Sequence, residues 1–134
     1  MKLKIEYLHE GMSPLYRAHS YDAGADVPMY QDTIIKHGKN IIPLGFKLVI
    51  PIGYAGYLCP RSSVMGDGIG YNMVPFDSDF SNEWNMIIYN PGEEFVIKKN
   101  ERLCQVVIMP VLVVDFVEDD SPRRGNNGIG STGK

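Results

Sequence analysis

"EEFVIKKNERLCQVVI", residues 93–108, is the stretch on which the fold turns. Phe95 and Ile97 sit two apart, "KKNE" interrupts at 98–101, and Leu103, Gln105 and Val107 resume the two-residue spacing. Period-2 patterning bounded by turn formers specifies strands. The same texture extends outward through "KLKIEYL", "DTIIKHGKNIIPLGFKLVI", "GYAGYLCP", "WNMIIYN" and the continuation to "PVLVVDFV". With 14 Gly and 9 Pro among 134 residues, little room is left for long helices. One short helix is expected after Arg61, where Ser62 or Ser63 can cap "SSVMGDG". The expected fold is all-β, a jelly-roll-like barrel over residues 1–117. A linker and flexible Gly-rich C-terminal arm follow over 118–134, where acidic residues and a proline lead into "RRGNNGIGSTGK".

At 44% hydrophobic, a chain of this length makes one domain with a real core. No apolar run approaches the ~20 residues of a membrane span, and "MKLKIEYLHEG" lacks the apolar stretch of a secretory signal. The net charge of −3 argues against a protein built to bind nucleic acid. Cys59 and Cys104 have no zinc-site spacing and are too few for a disulfide scaffold. They read as reduced core thiols of a cytoplasmic protein.

Several polar pieces stand out from this apolar background. In "SYDAGADVPMY", Asp22 and Asp26 flank small residues. That is either an Asp-Gly turn or a carboxylate holding water around a divalent cation. In "CPRSSV", Arg61 offers a planar fork of donors beside the hydroxyls of Ser62 and Ser63, a good oxyanion or phosphate site if the pattern is more than chance. In "GYNMVPFDSDF", an apolar run leads into Asp77, with Asp79 two residues on. On an extended chain the two carboxylates share a side. One held against apolar walls can act as a base toward water; the plainer reading is a solvated turn. The approach from Gly70 looks like a hairpin whose backbone suits a flat heterocycle. Arg102 and Gln105 interrupt an apolar strand and require partners. In the arm, glycines and Arg124 are the makings of a phosphate cradle, although the P-loop pattern is absent.

Taken in order, "DAGADV", "PRSS", "FDSDFSNE", "ERLCQVVI" and "RGNNGIGSTG" resemble the five ordered motifs of the trimeric dUTPase family, from about residue 3 to the end. That resemblance implies a homotrimer with three shared sites, Mg²⁺ as cofactor, and hydrolysis of dUTP to dUMP and pyrophosphate. By the same resemblance, Asp77 positions and deprotonates the water that attacks the α-phosphorus, and Asp26 meets the hydrated Mg²⁺. Arg61, Ser62, Ser63 and Gln105 attend the phosphates, joined by Arg124, Gly130, Ser131 and Thr132 of the closing arm. Asn72 and Met73 lie where uracil is read, Phe80 where deoxyribose packs, and Ile129 where the arm covers the base.

The motifs also depart from the family pattern. Phe80 replaces a usual tyrosine, keeping the ring without the phenol. Ile129 replaces an aromatic, which implies a looser lid and a higher KM. Asn82 stands for a glycine, and the glycine before Asp77 is missing. The alternatives are a nucleotide-responsive interaction protein of this fold with an unidentified regulatory partner, a dCTP deaminase, and a plain β-module with a tail.

Overall fold

The computed structural model describes residues 1–63, 68–71 and 73–121. The helix residues expected at 64–67, Asn72 and the arm from 122 onward lie outside the described residues. The strands are β1 (Ile5–Tyr7), β2 (Ala25–Pro28), β3 (Thr33–Ile35), β4 (Gly38–Pro43), β5 (Phe46–Leu48), β6 (Tyr54–Pro60), β7 (Gly70–Tyr71), β8 (Asn85–Asn90), β9 (Phe95–Ile97) and β10 (Arg102–Pro110). Ser62 and Ser63, just after β6, are helical, and no other described residue is.

All pairings are antiparallel, and of β1–β5, β2–β10, β6–β10, β3–β9, β4–β8 and β7–β8 only the last joins consecutive strands. Four small sheets tied by long connections make the jelly-roll-like barrel that the sequence calls for. The longest strand, β10, lies between β2 and β6 and places Gln105 opposite Asp26 on one side and Cys59 on the other.

The "KKNE" turn forms as read. Glu101 N–H donates to Lys98 O at 3.0 Å, and Asn100 takes φ 71°, a left-handed conformation that asparagine tolerates. The two-residue alternation does not run cleanly through β10. Leu103 and Cys104 are both buried, and burial then falls on Val106 rather than Val107. A register shift between Arg102 and Cys104, where β10 meets β2, resets the phase.

The apolar run beyond β10 is not a strand. After Val111 N–H donates to Gly53 O, the chain finds no further strand partner among the described residues. Leu112, Val113, Phe116 and Val117 are all at least 85% exposed.

Trp84, Phe46, Met29, Ile35, Ile88 and Leu103 fill the interior. Each fully buried side chain of this kind contributes roughly 1.5–3 kcal/mol. Buried Asn40 accepts from Lys36 N–H and donates to the carbonyls of Lys36 and Gly38, and buried Asn90 accepts from Gly92 N–H and donates to Glu93 O. Their amides close the bends beside β4 and β8. Both cysteines are free thiols. Burial, with Cys59 and Asp26 adding to it, pushes the Cys104 thiol far above its ordinary range, so it is inert packing. No helix among the described residues is long and apolar enough to cross a membrane.

Candidate active site

The pairing of β2 with β10 assembles one half of the site. Asp26 on β2 is largely withdrawn from water, its side chain 17% exposed. Arg102 Nη1 donates to Asp26 Oδ2 at 3.1 Å, and Arg61 Nε lies 3.8 Å from Asp26 Oδ1. Arg102 also donates to Tyr16 Oη and lies over the Tyr16 ring, 5.3 Å from its centroid. Tyr16 is locked to Asp26 by two backbone hydrogen bonds of 3.2 and 2.8 Å. One carboxylate thus orients two guanidiniums, and the cluster keeps a net positive charge. Each guanidinium has five N–H donors, so capacity remains for an anion. The adjoining cleft, about 510 Å³, is lined by Arg61, Ser63, Glu101 and Arg102 among others.

Gln105 completes this half. A Cβ on Gly24 would overlap Gln105 Oε1, so the carboxamide passes directly over bare backbone. Gly24 is therefore a close-approach glycine. Asp22 follows the turn reading instead. Its carboxylate accepts from His19 N–H at 2.9 Å, and its carbonyl accepts from Arg17 Nε at 2.9 Å.

The other half lies elsewhere on the barrel. Phe76 and Gly56 exchange two backbone hydrogen bonds of 2.7 and 3.0 Å. Asp77 follows, exposed. The chain here is not extended as the shared-side reading required: Phe80 N–H donates to Asp77 O at 3.1 Å and closes a turn over Ser78 and Asp79. Nor do apolar walls of this chain enclose Asp77. The expected hairpin from Gly70 to Asp77 is also replaced, because Gly70 and Tyr71 pair with β8 whereas Phe76 pairs with β6. Met73 is 59% exposed, and Phe80 is half-buried against Phe76.

Ser62 and Ser63 lie exposed at the end of β6 beside Arg61. The five steps from Gly56 to Arg61 span roughly 16 Å of extended chain. One chain therefore gathers Asp26, Arg61, Arg102 and Gln105 but sets Asp77 well apart from them. Asn72, Arg124, Ile129, Gly130, Ser131 and Thr132 lie outside the described residues. Among the described residues no cluster of three or more His, Cys, Asp or Glu is placed to hold a metal.

The family model described as dUTPase matches residues 12–133 of this sequence. The chain belongs to the dUTPase family. Two deoxyuridine 5'-triphosphate nucleotidohydrolases show how close the relation is. That of Nautilia profundicola is 38% identical, covering 100% of this chain and 100% of the relative. That of Syntrophotalea carbinolica is 36% identical, covering 98% and 96%. Among solved structures, the dUTPase of Staphylococcus bacteriophage 80alpha with dUpNHpp superposes with a TM-score of 0.86 at 22% identity, over 99% of both chains. A dUTPase from phage phi11 of S. aureus, described with a structural Mg(II) ion, gives 0.82 at 19% identity over 90% and 98%. Both show the dUTPase fold.

Two members of the dUTPase site region escaped the sequence reading. Tyr16 is ten residues from Asp26, in a segment with no strand pattern, and only the bridge pairing brings it there. Gly24 looked like a turn residue, and nothing local signals that Gln105 lies against it. Gly24→Ala is expected to displace the Gln105 carboxamide. With Gln105 in the phosphate-binding role that the family resemblance implies, losing its hydrogen bond to a charged group would raise the KM for dUTP about tenfold with kcat nearly unchanged. Steady-state pyrophosphate release checks this, and an unchanged KM contradicts it.

Proposed function

We infer that this chain is a dUTP diphosphatase, hydrolysing dUTP to dUMP and pyrophosphate with Mg²⁺. The observation that carries the reading is full-length likeness, at 38% identity, to a protein named for that activity. In the reaction, water oxygen bonds to the α-phosphorus, the bond from that phosphorus to the bridging oxygen breaks, and pyrophosphate leaves. Asp77 orients the water and takes its proton. Arg61, Ser62, Ser63 and Gln105 receive the phosphates, with Arg124, Gly130, Ser131 and Thr132 closing from the arm at 118–134. Asn72, Met73 and Ile129 attend the uracil, and the Phe80 ring faces the deoxyribose. Such chemistry depends on charge neutralisation and in-line placement more than on covalent catalysis.

The donor set suits Mg²⁺ held through water. Asp26 is a single hard carboxylate already engaged by Arg102, so it fits an outer-shell contact better than direct coordination. Mg²⁺ arriving with the triphosphate would neutralise its oxygens.

Two observations support a homotrimer with shared sites. Asp77 is set roughly 16 Å of extended strand away from Arg61, and the apolar run 112–117 is bare in the single chain. Free thiols are consistent with a cytoplasmic location.

The test is product analysis with Mg²⁺ across dUTP, UTP, dTTP and dCTP. Equal amounts of dUMP and pyrophosphate from dUTP, formed faster than products from the others, are expected. Intact dUTP after hours overturns the reading, and ammonia from dCTP reassigns the chain to deamination. A mass in solution of three 15.0 kDa chains is expected alongside.

A further inference from the structure

The candidate base sits in a turn with an aromatic on either side, and both aromatics lead to the barrel interior. Phe76, immediately before Asp77, stacks face to face on Trp84, centroids 3.8 Å apart and planes 6° from parallel. Phe80, which closes the Asp77 turn, meets Phe76 edge-on at 5.2 Å and 72°. Trp84 is fully buried and fixed through its backbone: its N–H donates to Phe46 O at 3.0 Å, and its carbonyl accepts from Leu44 N–H at 2.9 Å. Beneath the indole lies Gly56, where a Cβ would overlap the ring's far carbon, Trp84 Cη2. Gly56 is also the residue that binds the Phe76 backbone from both sides.

The indole N–H supplies a second sign that this ring is present for its face. It is the one buried side-chain polar atom among the described residues with no hydrogen-bond partner. A buried donor left unpaired costs about 1–3 kcal/mol, and a phenylalanine would avoid that. What tryptophan adds is a wide, rigid plane for Phe76 to lie on.

We propose that the Gly56–Trp84–Phe76 stack is the positioning device for Asp77 and Phe80, transmitting the rigidity of the core to both the water-activating carboxylate and the sugar-facing ring. This rests on the dUTP-hydrolysis reading. None of the three stack residues is placed in contact with substrate; each acts through its neighbour. The stack makes two functions share one support. Moving Phe76 tilts the Asp77 turn and removes the edge contact that orients Phe80, so turnover and discrimination against a 2′-hydroxyl fall together.

The experiment measures kcat, KM and the dUTP/UTP ratio of kcat/KM for three variants, well below each melting temperature. Phe76→Leu keeps an apolar side chain but not the plane. It should lower kcat on dUTP about 10–100-fold with KM changed less than about threefold, because misplacement near 1 Å costs that much. The dUTP/UTP ratio should fall about tenfold, since the 2′-hydroxyl is rejected by packing alone. Gly56→Ala, whose methyl presses chiefly on the indole and also on Ile50 Cδ1, should reproduce both losses. Trp84→Leu, which removes the plane itself, should reproduce both losses as well.

A purely structural role predicts a different pattern. Melting temperatures drop, dUTP and UTP rates fall in proportion to folded protein, and the ratio stays constant; that result overturns the proposal. So does a Trp84→Leu variant whose kcat and dUTP/UTP ratio match those of wild type. Wild-type chain that leaves dUTP intact is a separate failure, that of the hydrolysis reading itself, and is seen before any variant is made.

Discussion

Asp77→Asn is expected to lower turnover of dUTP by about 10²–10⁴-fold, the usual contribution of a positioned general base. The amide matches the carboxylate in size but cannot take the proton of the attacking water. Asp77 is exposed and its carbonyl, not its side chain, closes the turn with Phe80, so the substitution leaves the fold alone. Binding of the unhydrolysed analogue dUpNHpp should therefore stay within about threefold of wild type, since only an interaction of the transition state is lost. Pyrophosphate release and equilibrium titration, run on one preparation, check both halves. Retained turnover would move the base elsewhere, and Asp79, two residues on in the same turn, is the first place to look.

Trp84→Ala is expected to remove about 3–5 kcal/mol of folding stability, the range for deleting a large buried aromatic. The indole is fully buried, lies on Phe76 and approaches Phe46 at 5.5 Å, so its loss empties the meeting point of β5, β6 and the Asp77 turn. Removing the unpartnered N–H returns a part of this, which places the result toward the lower end. Against a total stability of about 5–15 kcal/mol, the change is large. Urea unfolding at fixed chain concentration should show the midpoint falling by about 1–3 M, given slopes near 1–3 kcal/mol per M. A shift below 0.5 M, on the order of ~1 kcal/mol, would mean that the neighbours collapse into the space.

The strands were legible because their signal is local. "WNMIIYN" contains β8 and "GYAGYLCP" contains β6, and the "KKNE" turn carries an asparagine where the backbone goes left-handed. The bulge at Arg102 and Cys104 was not legible, since either phase of the following apolar residues would satisfy a two-residue alternation. Composition showed that Arg102 needed a partner, but the partner lies 76 residues away and only the β2–β10 register brings it in. The Asp77 turn misled for a related reason. Spacing of two means a shared side only on an extended chain, and the hydrogen bond from Phe80 decides otherwise. The glycines were recognisable as residues but not as roles: Gly24 and Gly56 are bare to admit Gln105 and Trp84, residues distant in sequence.

The run from Leu112 to Val117 has a thermodynamic consequence. Five apolar side chains left in water between residues 112 and 117 are a standing penalty to the single chain. In the proposed trimer, where association would cover them, the hydrophobic gain belongs to the complex, and the midpoint of unfolding becomes a function of dilution through mass action. For that proposed trimer, then, folding free energy has meaning only at a stated molarity.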